Sequence, residues 1–164
     1  MKFVRAMVLS LVAAPTVALA ASAAAPPGWD FVKWGMTPTQ LRAASHGTVH
    51  PDKSGDLDFL NGEYSIGTFK FTVEFGYSSR PDDPGNFAQD NLVFDGITMG
   101  LDLKSGTCAG LAAYLPRVFG KPDRTTTEGP QGYWWYKKDL AYDINYYSWP
   151  DKSCGIEYSP IGAS

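Results

Sequence analysis

Residues 68–77 contain the pattern that most constrains the fold. Apolar Phe71, Val73 and Phe75 alternate there with polar Thr72 and Glu74. Successive side chains of a strand point to opposite faces, so this alternation predicts a strand with one buried face and one face in water. The apolar face of such a strand needs partner strands and a covering layer.

Two neighbouring segments predict the strands that pair with it. Asn61-Gly62 lies between residues typical of strands and predicts a tight hairpin turn, because both central positions of that turn need positive φ. Residues 92–103 predict a further strand, in which Asp95-Gly96 shifts the apolar phase and indicates a β-bulge. The intervening segment 78–86 predicts a turn or a mobile loop, since it is rich in proline, aspartate and glycine.

Two short helices are predicted from their end signals. Thr37 is a good N-cap, Pro38 suits the first helical position, and Gln40 completes a capping box. A second helix is expected over about residues 107–119, where Pro116 should kink it or separate its last turn.

The last third of the chain, residues 133–158, predicts an antiparallel meander. A two-residue turn at Lys138-Asp139 would place Trp135 opposite Tyr142 and divide the side chains between two faces. One face has the composition of a core: Tyr133, Trp135, Leu140, Tyr142 and Ile144. The other face combines aromatic with short polar side chains: Trp134, Tyr136, Asp143, Asn145 and Tyr147.

The expected order is therefore helix, three strands, helix, three strands. Consecutive hairpins without strand–helix–strand alternation predict an α+β fold. It would contain an antiparallel sheet of about six strands, with the two short helices packed on one face.

The N-terminus has the features of a secretory signal peptide. Lys2 and Arg5 precede an apolar run, and small residues follow it around Ala20 to Ala25. The run is shorter than the roughly 20 residues of a membrane-spanning helix, and Pro15 interrupts it, so a membrane anchor is the weaker alternative. We expect residues 1–25 to be cleaved and residues 26–164 to form one exported domain, periplasmic or secreted, without a transmembrane segment.

The charge balance argues against nucleic acid as a partner. The chain has 14 basic and 17 acidic residues, and loss of Lys2 and Arg5 leaves 12 basic residues and a net charge near −5. Nucleic acids bind through clustered lysine and arginine, whereas the longest basic cluster here is the pair Lys137-Lys138.

The chain contains two cysteines, Cys108 and Cys154. In the oxidising compartment that a signal peptide implies, an even pair predicts a disulfide. The alternative is a catalytic thiol at Cys108, whose pKa would be lowered by the nearby helix start.

Residues 35–41 (GMTPTQL) resemble the first-helix signature of small envelope proteins of the SmpA/OmlA type. Those domains place short helices against a three-stranded antiparallel sheet, and a tandem version is similar to the architecture of β-lactamase inhibitory protein. The resemblance implies a binding module rather than an enzyme. The chain departs from that family because it lacks the lipid-bearing cysteine. The nearest match to the family's Leu-Gly-x-Pro helix ending follows the second helix, at residues 119–122.

The sequence patterns that would indicate a metal site or a catalytic site are incomplete. His46 and His50 have the spacing of a metal pair on a helix, but Gly47 and Pro51 oppose a helix there. An EF-hand-like spacing occurs at Asp52, Ser54, Asp56, Asp58 and Glu63. Leu57 occupies the position that needs glycine, so we predict neither a metal site nor a cofactor.

These observations predict a non-enzymatic binding or interaction domain of the bacterial envelope. Its ligand would be a protein, a peptide or a glycan, held by the face that carries Trp134, Tyr136, Asp143, Asn145 and Tyr147. A competing interpretation is that residues 29–34 or the second helix cover this face. The functional alternatives are a small periplasmic hydrolase that uses dispersed acids with His46 or His50, and a structural role in envelope assembly.

Overall fold

The computed structural model describes residues 29–51, 60–88, 91–126, 131–150 and 152–161. The predicted signal peptide therefore lies outside the described residues. The elements in chain order are α1 (Pro38–Ala44), β1 (His50–Pro51), β2 (Leu60–Ile66), β3 (Phe69–Ser79), β4 (Leu92–Leu101), α2 (Cys108–Phe119), β5 (Arg124–Thr126), β6 (Gln131–Lys137), a 3₁₀ turn (Lys138–Leu140), β7 (Tyr142–Ser148) and β8 (Cys154–Pro160).

The strands form one antiparallel sheet in the order β1-β2-β3-β4-β8-β7-β6-β5. Each half of the chain contributes one helix followed by four strands. The last strand of each half lies in the middle of the sheet, where β4 pairs with β8 through Ile97 opposite Tyr158 and Met99 opposite Ile156.

The α+β class is confirmed, but the prediction of about six strands, three after each helix, is wrong. The described residues contain eight strands, four after each helix. The two strands that the sequence pattern misses are β1 and β5, which have two and three residues and lie at the two edges of the sheet. Segments this short show no alternation, and short edge strands are a common way to limit edge-to-edge pairing.

The turn predicted at Asn61-Gly62 is also wrong. These residues lie inside β2, opposite Glu74 and Val73, and the hairpin turn falls at Gly67, which has a φ of 61°. Gly62 does not have the positive φ that the predicted turn needs, and a Cβ there would make ordinary contacts, 3.5 Å from the Thr48 carbonyl oxygen.

The β6–β7 hairpin has a longer connection than the predicted two-residue turn. Lys137 pairs with Tyr142, so the residues between them form the loop, and Trp135 lies opposite Ile144 rather than Tyr142. The pairing register is thus shifted by two residues, which leaves every side chain of the strands on its predicted face. Leu140 falls in the loop and is exposed, so its predicted place in the core is wrong.

The helix ends and the bulge follow the predictions. Thr37 caps α1 in a capping box with Gln40, and Thr107 caps α2 by accepting a hydrogen bond from the backbone N–H of Gly110. The register between β3 and β4 shifts at Asp95, which is the predicted bulge.

One face of the sheet, which we call the covered face, packs against both helices and residues 29–34. Trp29 lies 5.0 Å from Phe75 between ring centroids, and Trp34 stacks on Phe94 at 4.8 Å. Leu41 of α1 and two leucines of α2 complete this core. No helix within the described ranges has the length and hydropathy of a membrane span.

The disulfide between Cys108 and Cys154 is confirmed, with Cα atoms 5.7 Å apart. It joins the first residue of α2 to the first residue of β8. The Tyr146 hydroxyl donates a hydrogen bond of 3.0 Å to the Cys108 carbonyl, which adds a second link between α2 and the sheet. Both cysteines of the chain are in this bond, so the alternative of a catalytic thiol at Cys108 is wrong.

Replacing Cys108 and Cys154 with alanine is expected to lower the free energy of unfolding by about 4 kcal/mol. The bond closes a loop with a sequence separation of 46, and opening it raises the entropy of the unfolded chain. Urea denaturation of both proteins measures the difference. A reducing agent should destabilise the wild type and leave the double variant unchanged; equal stabilities without reductant would contradict the prediction.

Candidate functional site

The face of the sheet opposite the helices, which we call the open face, is built from rows of cross-strand partners. In an antiparallel sheet, directly paired residues point to the same side. One row crosses all eight strands: His50, Asn61, Glu74, Thr98, Glu157, Asn145, Trp134 and Arg124. This row is polar at its β1 end and aromatic near its β5 end, so the site must be sought over β6 and β7.

The structure brings all five predicted site residues together on β6 and β7. Trp134 pairs with Asn145, and Tyr136 pairs with Asp143. Tyr147 lies one row away, between Gly132 and Gly155. Trp134 and Tyr147 are half-buried and Tyr136 is 41% exposed. Residues 29–34 and α2 pack on the covered face, so the competing interpretation, in which they cover these side chains, is wrong.

Two glycines create room for the aromatic rings of this face. A Cβ on Gly132 would lie 2.6 Å from Cη2 of Trp134, and one on Gly155 would lie 2.8 Å from the Tyr147 hydroxyl. The indole and the phenol therefore lie close against backbone that has no side chain. The sequence patterns did not assign a function to these two glycines. Glycine is unfavourable within a strand unless another group packs over it, so their positions in β6 and β8 were a signal for such packing.

The rings border a concave depression of about 500 Å³ on the open face. Its lining residues are Thr98, Thr126, Gly132, Trp134, Asn145, Tyr146, Tyr147, Trp149 and Glu157. Trp149, which the sequence prediction missed, is 49% exposed and follows β7, with its ring 6.2 Å from that of Tyr147. Thr98 and Glu157 were also missed: Glu157 lies opposite Asn145 in the β7–β8 pairing, and the long-range β4–β8 pairing places Thr98 beside Glu157.

Two polar side chains of the open face contain buried atoms without partners. Oδ1 of Asp143 and Oδ1 of Asn145 are inaccessible to solvent and have no hydrogen-bond partner among the residues the structure describes. Burial raises the pKa of the Asp143 carboxyl. A buried acceptor without a donor costs free energy, so these two atoms reduce the stability of the fold.

Charged groups surround the aromatic rings unequally. The Arg124 guanidinium lies 5.1 Å from the centroid of the Trp134 ring, a cation–π contact. Burial raises the pKa of Tyr147, and the carboxylates of Glu157 and Glu74 raise it further. The Tyr147 hydroxyl therefore lies near negative charge, whereas the Trp134 ring lies next to the positive charge of Arg124.

The candidate metal and catalytic residues do not converge. His46 follows α1 and His50 lies on the edge strand β1, and both are exposed. In the parts of the chain that the structure describes, no three His, Cys, Asp or Glu side chains are grouped to hold a metal ion. The acidic residues of the EF-hand-like spacing fall in 52–58, outside the described residues, except Glu63 on β2.

No family model matches the sequence, and no curated protein matches it. Among solved structures, a DUF4309 family protein (YjgB) from Bacillus subtilis is similar, with a TM-score of 0.44 and 16% identity. The match covers 76% of this chain and 78% of that chain. A similarity at this level says nothing about function, and the resemblance of residues 35–41 to the SmpA/OmlA signature stays a prediction.

Alanine at the two glycines should separate effects on the site from effects on the fold. At Gly132 the three atoms nearest to the new Cβ all belong to the indole of Trp134, so the ring should move with little loss of stability. At Gly155 it also meets the Met99 carbonyl oxygen at 2.6 Å, so Gly155→Ala should cost about 1–3 kcal/mol. Thermal unfolding and the NMR signal of the Trp134 indole N–H measure the two effects.

Gly100→Ala is the matched control on the same face, because the atom nearest to its new Cβ would be the Thr72 carbonyl oxygen at 4.0 Å. It should change neither stability nor the Trp134 signal. A Gly155→Ala variant as stable as the wild type would show that the strands are less closely packed than described.

Replacing Asp143 with asparagine should raise the Tm at neutral pH. Burial raises the pKa of this carboxyl, so ionising it costs free energy in the folded state but not in the unfolded state. The ionised carboxylate therefore destabilises the fold above the raised pKa, and this loss of stability disappears below the ordinary carboxyl pKa, where the group is protonated in both states. The gain in Tm should therefore shrink as the pH falls to about 3. Asp139→Asn, in the exposed 3₁₀ turn, is the control. A gain that grows at low pH would contradict the prediction.

Proposed function

We propose that this chain is an exported, non-enzymatic binding domain of the bacterial envelope. Its ligand, a protein, peptide or glycan, would bind the open face over β6 and β7. The observation that carries this proposal is that Trp134, Tyr147 and Trp149 line a concave part of the open face. Tyr136 lies on the same face of β6, outside the depression, and is exposed. We call these four residues together the aromatic patch.

The aromatic patch has the composition of a binding surface. Tryptophan and tyrosine combine a large apolar area with a polar group and few rotatable bonds, and they are enriched where proteins bind partners. Trp134 and Tyr147 lie against Gly132 and Gly155, so little conformational freedom is left to lose on binding. Asn145, Thr98 and Glu157 add polar side chains to the lining of the same depression.

Export is supported by two independent features. Residues 1–25 have the order of charged, apolar and small residues that is typical of a signal peptide. The Cys108–Cys154 disulfide is the kind of bond that persists in the periplasm and outside the cell.

A binding role is favoured over the hydrolase alternative by the positions of the histidines. His50 and Asn145 lie in the same row but are separated by five strand spacings, or about 24 Å. A histidine at that distance does not act on a ligand held in the depression.

The test compares envelope components captured by the wild type and by the Trp134→Ala, Tyr136→Ala double variant. Truncating two aromatic residues at the centre of an interface should reduce recovery of a specific partner about tenfold or more. An oligosaccharide array probed with the same proteins covers glycan ligands.

Val118→Ala is the control, since Val118 is an exposed apolar residue of α2, which packs on the covered face. Circular dichroism establishes that each variant is folded. Equal recovery of every component by the wild type and the double variant would overturn the proposed site.

A further inference from the structure

We infer that the ligand is a polypeptide that presents a lysine or arginine side chain, and that the cationic group enters the depression between Tyr147, Trp149 and Glu157. This inference rests on the proposed function, because it names the chemistry of the ligand for the same site. It is carried by the charges, the aromatic rings and the exposed carboxylate acceptor that meet there.

The acidic groups lie on the side of the depression away from Arg124. Glu74 and Glu157 occupy the same row on either side of Thr98, and Thr98 and Glu157 line the depression. Both carboxylates are close enough to Tyr147 to raise the pKa of its hydroxyl. Only the small side chain of Thr98 lies between the two acids in this row. A cation placed beside Tyr147 is therefore attracted by both carboxylates. An anionic ligand would be repelled there.

The aromatic rings favour the same charge. The ring faces of tryptophan and tyrosine attract ammonium and guanidinium groups, and more strongly where water is excluded. Arg124 of this chain makes such a cation–π contact with Trp134. Tyr147 and Trp149, whose rings meet at an interplanar angle of 64°, form the remaining aromatic corner beside Glu157.

The hydrogen-bonding capacity of the depression also matches a cation. The exposed Glu157 carboxylate contributes only acceptors. Lysine and arginine head groups carry only donors, so they satisfy its oxygens without adding unpaired acceptors. A neutral sugar hydroxyl would donate a hydrogen bond to a carboxylate but would gain no attraction between opposite charges.

The experiment is an NMR titration of the full exported domain with three short peptides of equal length. One is rich in lysine and arginine, one has glutamine at those positions, and one has glutamate. An N-acetylglucosamine tetramer is the fourth probe. We expect the basic peptide to shift the signals of Asn145 and Tyr147 and to bind about tenfold more tightly than the glutamine peptide. Its affinity should fall as salt is raised.

Glu157→Gln removes the charge at an exposed position and keeps the shape of the side chain. It should weaken binding of the basic peptide about tenfold, as expected for loss of one charged hydrogen bond. Glu63→Gln is the matched control, because Glu63 is an exposed glutamate on β2. That variant should bind as the wild type does.

Three results would overturn the inference. They are equal affinity for the basic and glutamine peptides, no shift at Asn145 and Tyr147 at millimolar basic peptide, and oligosaccharide binding that Glu157→Gln leaves unchanged. Failure of the proposed function is distinguishable from these results. A partner that is lost with Trp134→Ala and Tyr136→Ala but retained with Glu157→Gln keeps the site and rejects its preference for a cation.

Discussion

The pairing of β4 with β8 is the interaction on which the rest of the structure depends. It joins two four-stranded halves that are far apart in sequence into one sheet of eight strands. On the covered face it places Met99 beside Ile156 in a shared core, and on the open face it places Thr98 beside Glu157. Without this pairing, Glu157 would still lie beside the aromatic side chains of β6 and β7, but Thr98 and the second acid, Glu74, would be missing.

The core and the candidate site lie on opposite faces of the same strands, β6 and β7. Trp135 and Tyr146 are buried under α2 and the loops, whereas their neighbours Trp134 and Tyr147 lie on the open face. A register slip of one residue would exchange the two sets, because side chains alternate with a period of two. The large buried side chains therefore specify the register, and in doing so they fix which aromatic residues face a ligand.

This periodicity explains what the sequence could predict. The two faces of β6 and β7 were predicted correctly although the turn was too short, since a shift of two residues preserves the faces. Periodicity carries no signal for the short edge strands β1 and β5, and the Asn-Gly pair was misleading because both residues have strand backbone and pair with β3. Thr98 and Trp149 were missed for a different reason. Their place in the site depends on long-range pairing and on a loop, which local patterns do not encode.

The disulfide connects the stability of the fold to the geometry of the site. Cys154 immediately precedes Gly155, against which Tyr147 lies, and its partner Cys108 begins α2 on the other side of the sheet. The bond therefore restrains β8 at the position where it supports the phenol and just before Glu157. Tyr146, next to Tyr147, is held to the same helix end by its hydrogen bond to the Cys108 carbonyl. An oxidising compartment thus preserves the bond that orders one wall of the depression, so the proposed export and the proposed site depend on the same pair of residues.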